Sequence, residues 1–188
     1  MNNKIRNLLL ASALALLSTT GHAATVVLQN HSSSINLGDD FLVDVILKEP
    51  FSGNFTGDIL LTFGFDLNYD STAFALTSKT VGPLWDDDTP FLDVDLAGSS
   101  FPGIADDGSV ASILLGQLSF TALTAGTFTL GVTGNPLENP NLGLLYLGGD
   151  DSILAQTQVA VASPVPVPAA GWLLCSGLLA LFRMRRRH

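Results

Sequence analysis

The sequence predicts an all-β protein, an antiparallel sandwich of two sheets, and three observations carry that prediction. Apolar residues recur with period two over much of the interior, the signature of strands with one buried face. Gly, Pro, Asn and Asp punctuate the chain at short intervals, as hairpins and crossovers require. No long stretch repeats its apolar residues at helical spacing between the two ends of the chain. A closed barrel is the alternative arrangement of the same strands.

Thr25 to Gln29 reads as a short first strand. Phe41, Val43, Val45 and Leu47 alternate with Leu42, Asp44, Ile46 and Lys48, which predicts a strand with its odd positions inward. From Ile59 to Leu67 the odd positions are again large and apolar, against Leu60, Thr62, Gly64 and Asp66. Asn68-Tyr69-Asp70-Ser71 reads as a turn, followed by a helical turn or short strand over Ala73 to Leu76.

The passage from about Ser78 to Ser109 is broken by Gly82-Pro83, Thr89-Pro90, Phe101-Pro102-Gly103 and Asp106-Asp107-Gly108 and reads as irregular, with one strand over Phe91 to Leu96. Leu118, Phe120 and Ala122 then alternate with Gln117, Ser119 and Thr121, and Phe128, Leu130 and Val132 alternate with threonines. With Thr124-Ala125-Gly126 between them, these two runs predict a hairpin. Leu142 to Leu147 and Ser152 to Val161 complete a set of roughly eight or nine strands.

The ends have a different character. Met1 to Ala23 has the parts of a secretory signal peptide: Lys4 and Arg6, an apolar middle from Leu8 to Leu17, and the small-x-small site Gly21-His22-Ala23. Cleavage is expected between Ala23 and Ala24. Residues 24–162 then form the exported domain, and 163–168 a proline-rich linker, in which Pro164, Pro166 and Pro168 hold the chain extended. Ala169 to Phe182 is uncharged; as a helix its fourteen residues span roughly 21 Å, short of the bilayer core unless its flanks help. Arg183, Arg185, Arg186 and Arg187 follow and favour the cytoplasmic face.

The order over residues 165–188, with Pro166 and Pro168, Trp172, Ser176-Gly177-Leu178-Leu179 and then the arginines, resembles the PEP-CTERM sorting signal in its VPxPAA form. Val167 stands where the name-giving form has Glu. The resemblance implies a transient transmembrane anchor in the inner membrane, read and removed by an exosortase-type processing enzyme, with the exported domain released to the cell surface or the medium. An ordinary anchor that is never cut is the other reading.

Charge narrows the function. All 17 acidic residues lie in the exported region, where Lys48 and Lys79 are the only basic ones, giving 2 − 17 = −15. A surface so acidic excludes nucleic acid as a partner. The sole cysteine, Cys175, lies in the tail, so the exported domain has no disulfide and relies on its core.

His31 is the one histidine before the linker, and it lies near no nucleophile signature. No spacing selects a carboxylate pair of the kind a glycosidase needs. The chain therefore reads as non-catalytic. Asp86, Asp87, Asp88, Asp93 and Asp95, like Asp106-Asp107 and Asp150-Asp151, admit two readings: solubilising charge at turns, or a calcium site built from loop carboxylates. Their spacing is not that of an EF-hand loop. Trp85 and Tyr146 are the candidate carbohydrate-binding rings, since a sugar packs its apolar face on an aromatic one.

The Gly38-Asp39 entry, the strand Phe41 to Leu47, the phrase FGFDLNYDSTAFAL and the phrase LGQLSFTALTAGTFTLGV are similar to the cohesin-like, carbohydrate-binding-like sandwich family. Tyr69-Asp70, Phe120, Ala122 and Gly126 carry the likeness. It implies a jelly-roll sandwich that serves as a binding or scaffold module. The expected function is an exported surface, extracellular-matrix or biofilm protein that contacts extracellular polysaccharide or another surface protein. The alternative is a carbohydrate-binding or dockerin-binding accessory module in polysaccharide degradation.

Overall fold

The structure, a computed structural model, describes residues 24–163. The signal peptide, the sorting signal and their named residues lie outside the described residues, apart from Ala24. Ala24 packs partly buried against the core.

Twelve strands make a jelly-roll-type antiparallel sandwich. They are β1 (Thr25–Asn30), β2 (Ile35–Asn36), β3 (Asp40–Lys48), β4 (Ile59–Tyr69), β5 (Phe74–Val81) and β6 (Asp86–Asp87), then β7 (Leu96–Ala105), β8 (Ser112–Ala122), β9 (Gly126–Gly134), β10 (Gly143–Tyr146), β11 (Gly149–Asp151) and β12 (Ile153–Ala162). One sheet has the order β1-β3-β8-β5, the other β11-β10-β4-β9-β12-β2. β7 pairs with the remaining edge of β4, and β6 with β7. The pairing of β12 with β2 is parallel. Among the described residues no helix is long and apolar enough to cross a membrane.

β3 follows its alternation, with Phe41, Val43, Val45 and Leu47 buried. So does β8, whose Leu118, Phe120 and Ala122 face inward. Phe41 stacks on Phe120 at 5.6 Å and meets Phe74 edge-on at 5.4 Å, while Tyr69 meets Phe120 edge-on at 5.3 Å. Rings in these offset and T-shaped arrangements are held in specific orientations as well as buried.

Three expectations are corrected. In β4 the buried residue is Leu60, not Leu61: against β10 Leu61 is an extra residue in register, since Leu60 faces Tyr146 and Thr62 faces Leu145, while against β7 the excess lies in β7, whose residues 100–103 fall between Ser99 opposite Thr62 and Ile104 opposite Leu60. A β-bulge there resets the period, so strict alternation fails at that point.

The run Gly126 to Gly134 does not fold back on β8. β8 pairs with β3 and β5, whereas β9 pairs with β4 and β12 in the opposite sheet. The turn at 123–125 is therefore a crossover between sheets. It is tied to the β4–β5 crossover by Leu123 N–H to the Ala73 carbonyl, 2.8 Å, and by the Thr124 hydroxyl to the Thr72 carbonyl, 2.8 Å. Both runs keep one apolar face because the two faces look at each other across the core.

The passage 78–109 is largely regular. It holds the end of β5, then β6, and the ten-residue β7; the expected strand at Phe91 to Leu96 is instead a short 3-10 turn, Thr89–Phe91, and bends leading into β7. Pro102 and Gly103 sit inside β7, opposite the bulge, where ladder hydrogen bonds are already interrupted.

Candidate functional site

The corrections matter because the sandwich takes its sequence-marked aromatics for its own core. Trp85 is 7% exposed; its indole N–H donates to the Leu114 carbonyl, 3.0 Å, and its ring meets Phe63 edge-on at 4.8 Å. Tyr146 is 3% exposed and its hydroxyl donates to the Pro50 carbonyl at 2.6 Å. Neither ring presents a face on which a sugar can stack, which removes both as the expected platform.

The acidic residues of the Trp85 loop do not converge either. Asp95 accepts the Leu67 N–H at 2.9 Å and lies 3.7 Å from the Lys79 ammonium; Asp87 accepts the Thr89 N–H at 3.0 Å. Among the described residues no three carboxylate, histidine or cysteine side chains gather as a metal-ligand group. Asp86, Asp87, Asp88, Asp93 and Asp95 are not gathered into one candidate ligand group. His31 is partly exposed on the outer face of the smaller sheet, where its Nε2 lies 2.6 Å from Asp44, whose other oxygen accepts the Gln117 amide at 2.9 Å.

The structure offers a concavity elsewhere, at the end of the sandwich where β3 hands over to β4. It is an open pocket of about 300 Å³ lined by Gly53, Asn54, Phe55 and Asp58 from the β3–β4 connection, and by Tyr146, Gly148, Gly149, Asp150 and Asp151 from β10 and β11. Local sequence explains the loop. Gly53 and Gly57 adopt positive φ, and tight turns close from Ser52 N–H to the Glu49 carbonyl and from Asp58 N–H to the Phe55 carbonyl.

Asp58 is the hinge pin of this pocket. At 2% exposed it is the one buried charged side chain among the described residues. Its carboxylate accepts from three donors: the Asn54 amide (2.9 Å), the Ile59 N–H (2.9 Å) and the Gly148 N–H (3.0 Å). A buried carboxylate is tolerated when its lone pairs are met in this way, and here it joins the loop to a hairpin 90 residues away. Burial, and then the neighbouring Asp151 and Asp58 charges, push the Tyr146 phenol well above the usual tyrosine range.

Phe55 is 53% exposed, and its ring lies over Gly148. A Cβ at Gly148 would come within 2.6 Å of that ring, so only glycine lets the ring settle there. Among the described residues no lysine, arginine or histidine lines the pocket. In the sequence Asp150-Asp151 stands out only as a pair flanking a strand, and Phe55 and Asp58 carry no signal. Their significance comes from two segments meeting in space, for which neither segment carries a local signature.

No family model and no curated protein matches the chain by sequence. Among solved structures, the fold is similar to the cohesin module of a family 33 glycoside hydrolase from Clostridium perfringens, with 13% identity, 74% of this chain and 97% of that one covered, and a TM-score of 0.53. The seventh ScaB type I cohesin of Pseudobacteroides cellulosolvens aligns at 18% identity over 77% of this chain and 95% of its own, with a TM-score of 0.42. A type II cohesin of Acetivibrio cellulolyticus, in a complex with X-module and dockerin, aligns at 11% identity over 74% and 100%, with a TM-score of 0.47. The class the fold defines is a cohesin-like jelly-roll sandwich.

Proposed function

We propose that this chain is an exported, non-catalytic binding module of the cell surface or extracellular matrix, delivered by its N-terminal signal and released after its C-terminal sorting signal is processed by an exosortase-type enzyme. The observation that carries the reading is the placement of an acidic, disulfide-free sandwich between two targeting ends that hold six of the eight positive charges. The pocket at the β3–β4 end adds support. It brings together carboxylates and an exposed ring but no nucleophile paired with a base, which suits binding better than catalysis.

The test is mass spectrometry of the native protein after separating membrane, surface and medium. The expected product starts at Ala24 and has lost Trp172 through Arg187. Mature molecules retaining that tail in a producer with working processing enzymes would overturn the sorting half of the reading.

A second reading is favoured by one observation, that the similar Clostridium perfringens module belongs to a glycoside hydrolase. On that reading the chain is an accessory module of polysaccharide breakdown that holds a dockerin or a glycan. Retention of dockerin-bearing proteins by the immobilised chain distinguishes it from the first.

A further inference from the structure

We propose that the pocket between the β3–β4 connection and the β10–β11 hairpin is a glycan subsite that receives one ring of an uncharged or amine-bearing sugar on Phe55 and turns away acidic sugars. The proposal rests on the reading of the chain as an exported binding module and names what that module holds.

A pyranose is an amphipathic disc, with a C–H face that packs on an aromatic ring and hydroxyls that radiate from its edge. Phe55 supplies the apolar half. Its ring stays half exposed while Tyr146, the other aromatic residue of the pocket, is buried. It rests on the backbone of Gly148, where a Cβ would come within 2.6 Å of the ring. An exposed aromatic face held by backbone loses little freedom when a ligand covers it.

The polar half is set around that face. Asp58 is already engaged by its three donors and so shapes the wall, which leaves Asp150 and Asp151 as the acceptors on the rim. They are consecutive residues of β11, and successive strand side chains point to opposite faces. Asp151, opposite buried Leu144, therefore shares the Tyr146 side of the hairpin, and Asp150, opposite exposed Leu145, lies on the other. The two oxygens of Asp151 can accept from two neighbouring hydroxyls of a ring whose apolar face rests on Phe55.

Size and charge define the rest. A volume of about 300 Å³ lies at the small end of ligand pockets, which admits one ring and some water. With no cationic side chain among the lining residues, a uronate or sulfated sugar would place its anion beside Asp150 and Asp151 uncompensated. An ammonium at one ring position meets the opposite situation.

The experiment uses the full-length chain purified in detergent micelles, presented to a printed panel of neutral, amine-bearing and uronate oligosaccharides and to an arginine-rich peptide. Affinities for retained glycans are then measured by calorimetry. At least one neutral or amine-bearing oligosaccharide is expected to bind. Phe55→Ala should weaken it by about tenfold, with an unaltered unfolding midpoint because that ring is half exposed. Gly148→Ala, which displaces the ring and keeps it, should also weaken binding.

The proposal is overturned if no neutral or amine-bearing glycan is retained, if uronates bind as well, if only the peptide binds, or if Phe55→Ala leaves the glycan affinity unchanged. Adhesion of the same chain to the producer's own matrix separates the two levels. Adhesion that survives Phe55→Ala removes the pocket and leaves the binding module standing; a chain that adheres to nothing removes the module.

Discussion

The phenol of Tyr146 donates to the backbone carbonyl of Pro50 at 2.6 Å, so one buried hydrogen bond ties the end of β10 to the loop that leaves β3. Tyr146→Phe keeps the ring and its edge-on packing with Phe51 but orphans that carbonyl, and should cost about 1–3 kcal/mol in urea unfolding. The pH dependence has a definite sign. The folded state holds the phenolic proton above the ordinary value of 10.0, so this contribution is complete below that pH and declines as pH rises beyond it. The wild-type chain should therefore lose its advantage over Tyr146→Phe on going alkaline. A difference that stays constant past that point would mean that the proton is not held preferentially in the fold.

Asp58 gives a graded test of the same corner. Asp58→Ala removes the partner of three donors at a buried position and should cost on the order of 4 kcal/mol, a large share of the stability of a domain this size. Asp58→Asn retains an oxygen for the Ile59 and Gly148 N–H groups, and the Asn54 amide can rotate to face it, so the loss should be well under half of that. Equal losses for the two substitutions would show that the charge matters, not the hydrogen-bond count.

How far the sequence foretold this arrangement depends on whether the information is local. The inward face of β3 was legible because Phe41, Val43, Val45 and Leu47 hold one period from end to end. In β4 the same reading chose Leu61 over Leu60, since a bulge is specified by the two neighbouring strands and by nothing in β4 itself. The runs around Phe120 and Leu130 were correctly read as strands and wrongly as partners. Alternation reports which face is buried, and a hairpin and a sheet-to-sheet crossover bury it equally well. β7 was hidden by Pro102 and Gly103, which ordinarily end strands. Phe55 and Gly148 meet only because β3 crosses to β4 beside the β10–β11 hairpin, a juxtaposition invisible to any window of neighbouring residues.

The turn that carries β4 over to β5 makes a prediction at the acid end. The Thr72 hydroxyl, and then the Thr72 N–H, hold the Asp70 carboxyl below its usual range. A carboxylate whose folded pKa is depressed contributes stability above its unfolded pKa and loses that contribution as pH falls through the folded one. Asp39, bonded to the Asn36 N–H and amide, and Asp107, bonded to the Ser109 hydroxyl and N–H, behave alike. Subtracting the unfolding free energy of Asp70→Ala from that of the wild type should give a difference that is flat near neutrality and shrinks below the ordinary carboxylate value of 3.8. A difference that grows on acidification would have the wrong sign for this account.

Trp85 separates a role in the fold from a role in binding. Its ring fills the space beside Phe63 and its N–H satisfies the Leu114 carbonyl on the facing sheet. Trp85→Ala leaves a cavity and an unpaired carbonyl and should cost about 3–5 kcal/mol. Trp85→Phe retains much of the volume and should cost less, chiefly through the lost hydrogen bond. Emission from Trp85 should be quenched poorly by iodide until urea unfolds the domain, then as readily as from an exposed indole. Under conditions where the Trp85→Phe chain is fully folded, its affinity for any glycan that Phe55→Ala weakens should match the wild type. A Trp85→Phe protein of normal stability that has lost its glycan would return the indole to the surface and put the pocket in the wrong place.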